Sequence, residues 1–548
     1  MDENQKFEKI VNQGLEDYFK RNPRTAVRFG KEEFEKVVEP GTKEHIEDNL
    51  MWFGKWIEEI KQLDVESLNF ENKISLKAME YNHNLNLFMH EAFPSWKRFP
   101  NGLSYFQEIV YLLIQRKGPT EDLADTIIIH IKNLPKYIEE FQSRFDETPI
   151  PIVWRDLALE TIQTTPIILK SVAEVYTKTP EIDPSLKNKL LETIKEVESV
   201  IQNHTEWIKG LPVDPDEFAW ALGPEKFDKL LSLRKLPWDR KTLISRGNKL
   251  FSSGFKKMKQ ILKELYPDKT LIEGIQEFFK EDLIPTFQEV LRYTQSEAER
   301  AKSFIKNHDL ATLPKENLVF IETPPHLVPS IPGAAYEQVP YFNKEQPGIF
   351  MISPTLMDFQ SYTYISWTMV HEAFPGHHLD FVCNNIYAPL VRMIGLNYFT
   401  SMETAEGWAL YCEELMLKKG FFKNVQKTQQ LLSGLQMQRA MNILFDIQLH
   451  CKQRTIKEAK ETLMNLLSYG EKAAKDTILD YTQSPSYPLS YLTGKLLIDE
   501  LRQKVEEKMG DKFTLKFFHD TILRSGDLPY YLLKEYLKKL FPKCPDFT

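Results

Sequence analysis

The sequence predicts a mainly α-helical protein with one small β-sheet placed just before a metal-binding helix. Three observations carry this. Apolar residues recur at spacings of three and four through most of the 548 residues. The texture breaks once, between Leu310 and Pro354, into proline and β-forming residues. Directly after that break comes His371-Glu372-Ala373-Phe374-Pro375-Gly376-His377-His378, which holds three of the 12 histidines.

In chain order, the first 30 residues read as a helix ended by Asn22-Pro23. Helical patterns follow at 42–63, 66–90, 103–116, 119–146, 154–178, 184–210 and 255–308, with breakers such as Phe93-Pro94 and Phe99-Pro100-Asn101-Gly102 between them. From Asn317 to Ile321 and from Ile349 to Ile352 the chain reads as strand. Helices resume at 358, the first carrying Ile365 to Asp380, then 401–419, 425–452, 456–468, 489–508 and 528–540. No flexible linker or internal repeat is present. The expected organisation is a helical lobe, 1–310, and a second lobe, 311–548, forming one compact unit around a cleft.

Composition narrows the function classes. Hydrophobic residues make up 42%, charged residues 27%, and the net charge is −8, so a nucleic-acid partner is not expected. The four cysteines are far apart with no CxxC pair, which predicts free thiols in a reducing compartment. The first residues are charged and lack the apolar core of a signal peptide. No run of about 18 apolar residues occurs. The expectation is a cytoplasmic protein with no membrane partner.

The histidine cluster suggests chemistry. In HExxH, two histidines one turn apart share a helix face and the glutamate activates a metal-bound water. Here His377 is six and His378 seven residues after His371. On a regular helix the first points about 120° away, and the second sits about 10.5 Å along the axis. A single zinc ion needs both ring nitrogens at about 2.0–2.1 Å. Pro375 and Gly376 supply a break that shortens the rise. We therefore expect His371 and His377 as metal ligands with two residues looped out, and His378 as the fallback. A third ligand is expected on the acidic helix that follows, where Glu403 and Glu406 are one turn apart and Glu413 lies two turns beyond Glu406.

These residues resemble a widespread prokaryotic family of uncharacterised function, usually assigned as zinc peptidases, whose signature is HExxPGHH. The resemblance is carried by Gly348-Ile349-Phe350, the octapeptide, Glu406-Gly407-Trp408-Ala409-Leu410-Tyr411, Arg439 with Asp446 and His450, and Tyr487 to Gly494. That family is distantly similar to the gluzincins, helical oligopeptidases and thermostable carboxypeptidases. The resemblance implies a gluzincin-like fold and Zn2+ held by His371, His377 and Glu406. Glu372 would be general base and acid, taking a proton from activated water and passing it to the leaving amine. It also implies a role for the strand at Ile349–Ile352, as an edge that pairs with substrate, with a plain core strand equally compatible.

Tyr491 and then Tyr487 are the expected donors to the developing oxyanion. His450, with Asp446 one turn earlier, is expected to orient substrate or support the metal site. Arg439 or Arg502 could bind a substrate carboxylate. No GxSxG, Walker or GxGxxG motif occurs. The leading expectation is a zinc peptidase acting on short peptides. The rivals are a hydrolase of a non-peptide amide or ester, and a helical protein with a structural metal site.

Overall fold

The computed structural model describes residues 1–104, 119–315, 317–324, 328, 331, 333–394, 402–467 and 469–540. The fold is mainly helical with a small three-stranded sheet, as expected. Of the pattern at 103–116, the start is a short turn, Gly102–Ser104, and residues 105–116 lie outside the described residues, as does Cys544. The other three cysteines are buried free thiols.

Several predicted helices divide where the chain demands it. The pattern at 255–308 belongs to three helices, Arg240–Leu265, Leu271–Lys280 and Phe287–Asn307. Tyr266-Pro267 ends the first, and Thr270 starts the second by a reciprocal cap with Glu273. Likewise 154–178 is Ile152–Ile162 followed by Thr165–Lys178. Helices at Pro224–Leu233, Glu471–Gln483 and Leu515–Ser525 had no counterpart in the sequence reading.

Two sheets form. Strands β1 (Ile150–Pro151) and β2 (Val213–Asp214) make a short parallel pair. Strands β3 (Leu318–Glu322), β4 (Ala334–Glu337) and β5 (Gly348–Ile352) order as β3-β5-β4. Phe350 of β5 pairs with Phe320 in parallel and with Tyr336 in antiparallel register. β5 is therefore a central strand, the second of the two expected readings, and not the substrate-pairing edge that the resemblance implied. Its apolar run is explained by neighbours on both sides, and Phe350, Met351 and Ile352 are buried. The edge on the histidine side is β4.

The main hydrophobic core draws on both halves of the chain, from Ile74 to Leu537, and the two lobes expected around residue 310 share it. A second core, mostly from Leu123 to Ile208, fills the helices before residue 210. Two glycines set one contact in the main core. A Cβ on Gly494 would fall 1.8 Å from the carbonyl oxygen of Glu403, and one on Gly407 would fall 2.4 Å from the carbonyl carbon of Gly494. The helices Met402–Lys418 and Ser490–Met509 thus touch backbone to backbone. Among the described residues no helix is long and apolar enough to cross a membrane.

Candidate metal centre

The helix carrying His371 begins at Ser361, whose hydroxyl accepts from Tyr364 N, and runs Tyr362–Glu372. It does not bulge and continue. It stops, and a new helix, His377–Tyr387, starts after the turn Ala373–Gly376. A Cβ on Gly376 would lie 1.8 Å from the carbonyl oxygen of His371, so only glycine allows the chain to fold back this tightly. The Pro375 carbonyl accepts from Trp408 Nε1 at 2.8 Å and from the Cys412 thiol at 3.6 Å. The next helix therefore holds the turn, and EGWALY owes its tryptophan to that bond.

With this turn in place, His371, His377 and Glu406 offer ligand atoms that all lie within 4.8 Å of one another. Glu406 Oε2 is 3.9 Å from His371 Nε2 and 3.5 Å from His377 Nε2. Oε2 is also a buried oxygen with no hydrogen-bond partner. Two imidazoles and one carboxylate around an orphaned oxygen are the donor set of a catalytic zinc site. The residues present fit that ion.

Partners behind the ligands set their orientation. His371 Nδ1 lies 2.8 Å from Glu413 Oε1, and Arg439 reaches Glu413 with Nη2 at 3.0 Å and Nη1 at 3.3 Å. Burial pushes the Glu413 pKa up, but Arg439 and His371 more than offset it, so Glu413 is held below the usual carboxylate range. An ionised carboxylate only accepts, so His371 donates from Nδ1 and presents Nε2 to the site. Burial pulls His377 down, while Glu406 pulls it up more strongly, to about 9. Glu406 is correspondingly lowered against its own burial.

His378 faces the other way. Its Nδ1 is 2.9 Å from the Tyr336 hydroxyl of β4, its ring meets Phe374 edge-on, and burial lowers its pKa to about 3. A Cβ on Gly348 would come within 2.9 Å of that Nδ1, which accounts for the glycine that opens β5. Of the two, His377 is the one that stands beside Glu406 and His371.

Tyr487 donates to Glu406 Oε1 at 3.1 Å, and its oxygen is 2.8 Å from that of Tyr491. Burial, then the charge of Glu406, pushes Tyr491 well above the ordinary phenol range, so it keeps its proton. Glu372 is half-buried at the end of its helix, close enough for its charge to act on His377 and Tyr364.

Other expected residues lie elsewhere. His450 is not at the site. It packs among Phe93, Trp220 and Phe227 with Nε2 on the Tyr481 carbonyl, and burial lowers it to about 4. Asp446 does not pair with it. Asp446 instead accepts from Ser486 N at 2.9 Å and Leu489 N at 3.2 Å, pinning the turn that carries Tyr487. Arg439 is spent on Glu413, and Arg502 lies 3.6 Å from Glu506. Glu403 is buried against Arg234 at 2.5 Å.

A model of the family described as "Bacterial protein of unknown function (DUF885)" matches residues 23–537. The chain belongs to this family. Two solved structures are similar to this DUF885 protein, each described as a "putative lipoprotein". The one from Shewanella oneidensis, of unknown function, is 17% identical with a TM-score of 0.76, covering 98% of this chain and 100% of that one. The one from Colwellia psychrerythraea is 18% identical with a TM-score of 0.81, covering 99% and 100%. At these identities the likeness shows the fold alone. No curated protein matches.

Proposed function

We propose that this DUF885 protein is a zinc-dependent peptidase of short peptides. The observation that carries the reading is the convergence of His371, His377 and Glu406 around the orphaned Glu406 Oε2, with Glu372 adjoining the first ligand. Zinc held there would supply a Lewis acid and an activated water. Glu372 accepts the water proton and returns it to the leaving amine. Tyr491 donates to the carbonyl oxygen as its charge develops. Tyr487 keeps Glu406 oriented through its 3.1 Å bond. The strand role assigned to Ile349–Ile352 passes to β4, which is last in the strand order and reaches His378 through Tyr336.

The test is a mixed peptide library read by mass spectrometry with and without chelator. Chelator-sensitive cleavage supports the reading, and the product ladder gives end preference. Absence of cleavage with metal bound rejects it in favour of a non-peptide amide or ester hydrolase or a structural metal site. The sequence expectation is a cytoplasmic protein, whereas the two similar solved structures are each described as a "putative lipoprotein". Fractionation of cells producing the full chain separates these locations.

A further inference from the structure

The turn that delivers the tyrosine pair is strained. Ser484-Pro485-Ser486-Tyr487 closes with Tyr487 N donating to the Ser484 carbonyl at 3.0 Å. Proline stands second in the turn and Ser486 third, at φ +69°. Turns of this kind favour glycine at the third place, because a side chain there crowds the backbone. A left-handed residue other than glycine costs on the order of 1–3 kcal/mol and persists only where its surroundings hold it. The serine does not hold itself, since its Oγ is buried and makes no hydrogen bond among the described residues.

Two fully buried side chains from other elements hold its peptide instead. Asp446, on the helix Val425–His450, accepts from Ser486 N at 2.9 Å and from Leu489 N at 3.2 Å. Arg234, just after the helix Pro224–Leu233, donates from Nη1 to the Ser486 carbonyl. Its Nη2 reaches Glu403 Oε2 at 2.5 Å and Ser490 Oγ at 3.0 Å, and that hydroxyl donates to the Ser486 carbonyl at 3.1 Å. These contacts fall one residue before Tyr487, one residue before Tyr491 and one turn before Glu406. A single guanidinium therefore gathers the three segments whose side chains meet where Tyr487 bonds to Glu406 and Tyr491. A buried ion pair with Glu403 would by itself account for one edge of Arg234. It accounts neither for the other edge on a strained carbonyl nor for Asp446 on the N–H of the same residue.

We propose that Arg234 and Asp446 are positioning residues, which hold the Ser486 peptide in its left-handed turn so that Tyr487 and Tyr491 stand on Glu406. The chemistry served is that of the peptidase reading, on which this inference rests, and two readouts keep the two apart. D446N leaves one acceptor where two N–H groups need two. R234K keeps a charge beside Glu403 and loses the fork. Per folded, zinc-loaded molecule, each should lower kcat about 100-fold, the effect of a donor misplaced by about 1 Å, with KM little changed. Glycine adopts the left-handed turn freely, so D446N/S486G should recover most of the lost kcat. In the cobalt-loaded protein the visible absorption of D446N is expected to shift, because Glu406 Oε1 loses its bond to Tyr487, and to return in D446N/S486G. Parent kcat in both D446N and R234K overturns the proposal, as does a D446N/S486G variant no better than D446N. A parent that cleaves no peptide sinks the peptidase reading alone. The cobalt spectra then decide, and identical spectra for the parent and D446N overturn the positioning role.

Discussion

His377 Nε2 and Glu406 Oε2 stand 3.5 Å apart, while the adjoining His378 turns to the Tyr336 hydroxyl at 2.9 Å. One residue of register separates the proposed ligand from a support. His377→Gln is accordingly expected to abolish stoichiometric zinc, and His378→Gln to retain it at some cost in thermal stability. Metal content by elemental mass spectrometry, beside a thermal melt, checks both.

Glu372→Gln should keep the metal and lower kcat by about 10²–10⁴-fold, the range of a general acid-base group. Turnover close to that of the parent would remove Glu372 from the mechanism.

Glu413→Gln keeps an acceptor for His371 but strands Arg439, which is buried with its charge uncompensated. Loss of a buried partner costs about 3–5 kcal/mol. Loss of the carboxylate behind a histidine ligand weakens metal binding about 10–100-fold. Chelator competition and a melt measure the two effects separately.

Zinc affinity should depend on pH. His377, raised to about 9 beside Glu406, is protonated at pH 7 when metal-free. A ligating imidazole must be neutral, so binding releases that proton. Affinity is expected to climb about ten-fold per pH unit from 6 to 8 on this account and to level off above 9. Calorimetry in two buffers of different ionisation enthalpy counts the proton. A pH-independent affinity would contradict the pairing of His377 with Glu406.

Gly494→Ala forces the Met402–Lys418 and Ser490–Met509 helices apart, because the new Cβ meets the Glu403 carbonyl. Overpacking of this kind costs about 1–3 kcal/mol. Because Glu406 rides on the displaced helix, activity per folded molecule should fall as well. Full specific activity in a destabilised variant would separate the helix contact from the site.

Much of the site was legible because it is local in sequence. The Pro375-Gly376 break and the acidic helix after it lie within one stretch, and steric rules for proline and glycine apply there directly. What escaped was decided at long range. Glu413 read as one more acid on a helix until Arg439 and His371 met it from other elements. His450 looked like half of an Asp–His pair, yet Phe93, Trp220 and Phe227 close around it and Asp446 holds backbone instead. β4 hid among prolines because its short run Ala334–Glu337 lacks the apolar weight of β5. The even amphipathic rhythm over 255–308 masked two breaks.

The backbone contact between Gly407 and Gly494 divides the site into two mechanical halves. Glu406, Tyr487 and Tyr491 sit on or beside helices that meet without side chains between them, so they act as a fixed jaw. The histidines flank the Ala373–Gly376 turn, which bonds to the helix before it through Ala373 N and Phe374 N on the Met369 carbonyl and to the helix Met402–Lys418 through the Pro375 carbonyl. Both halves therefore lean on the helix Met402–Lys418, through Glu413 to His371 and through Trp408 to the turn, and replacing Trp408 is expected to loosen the His377 side while leaving the His371 bond in place.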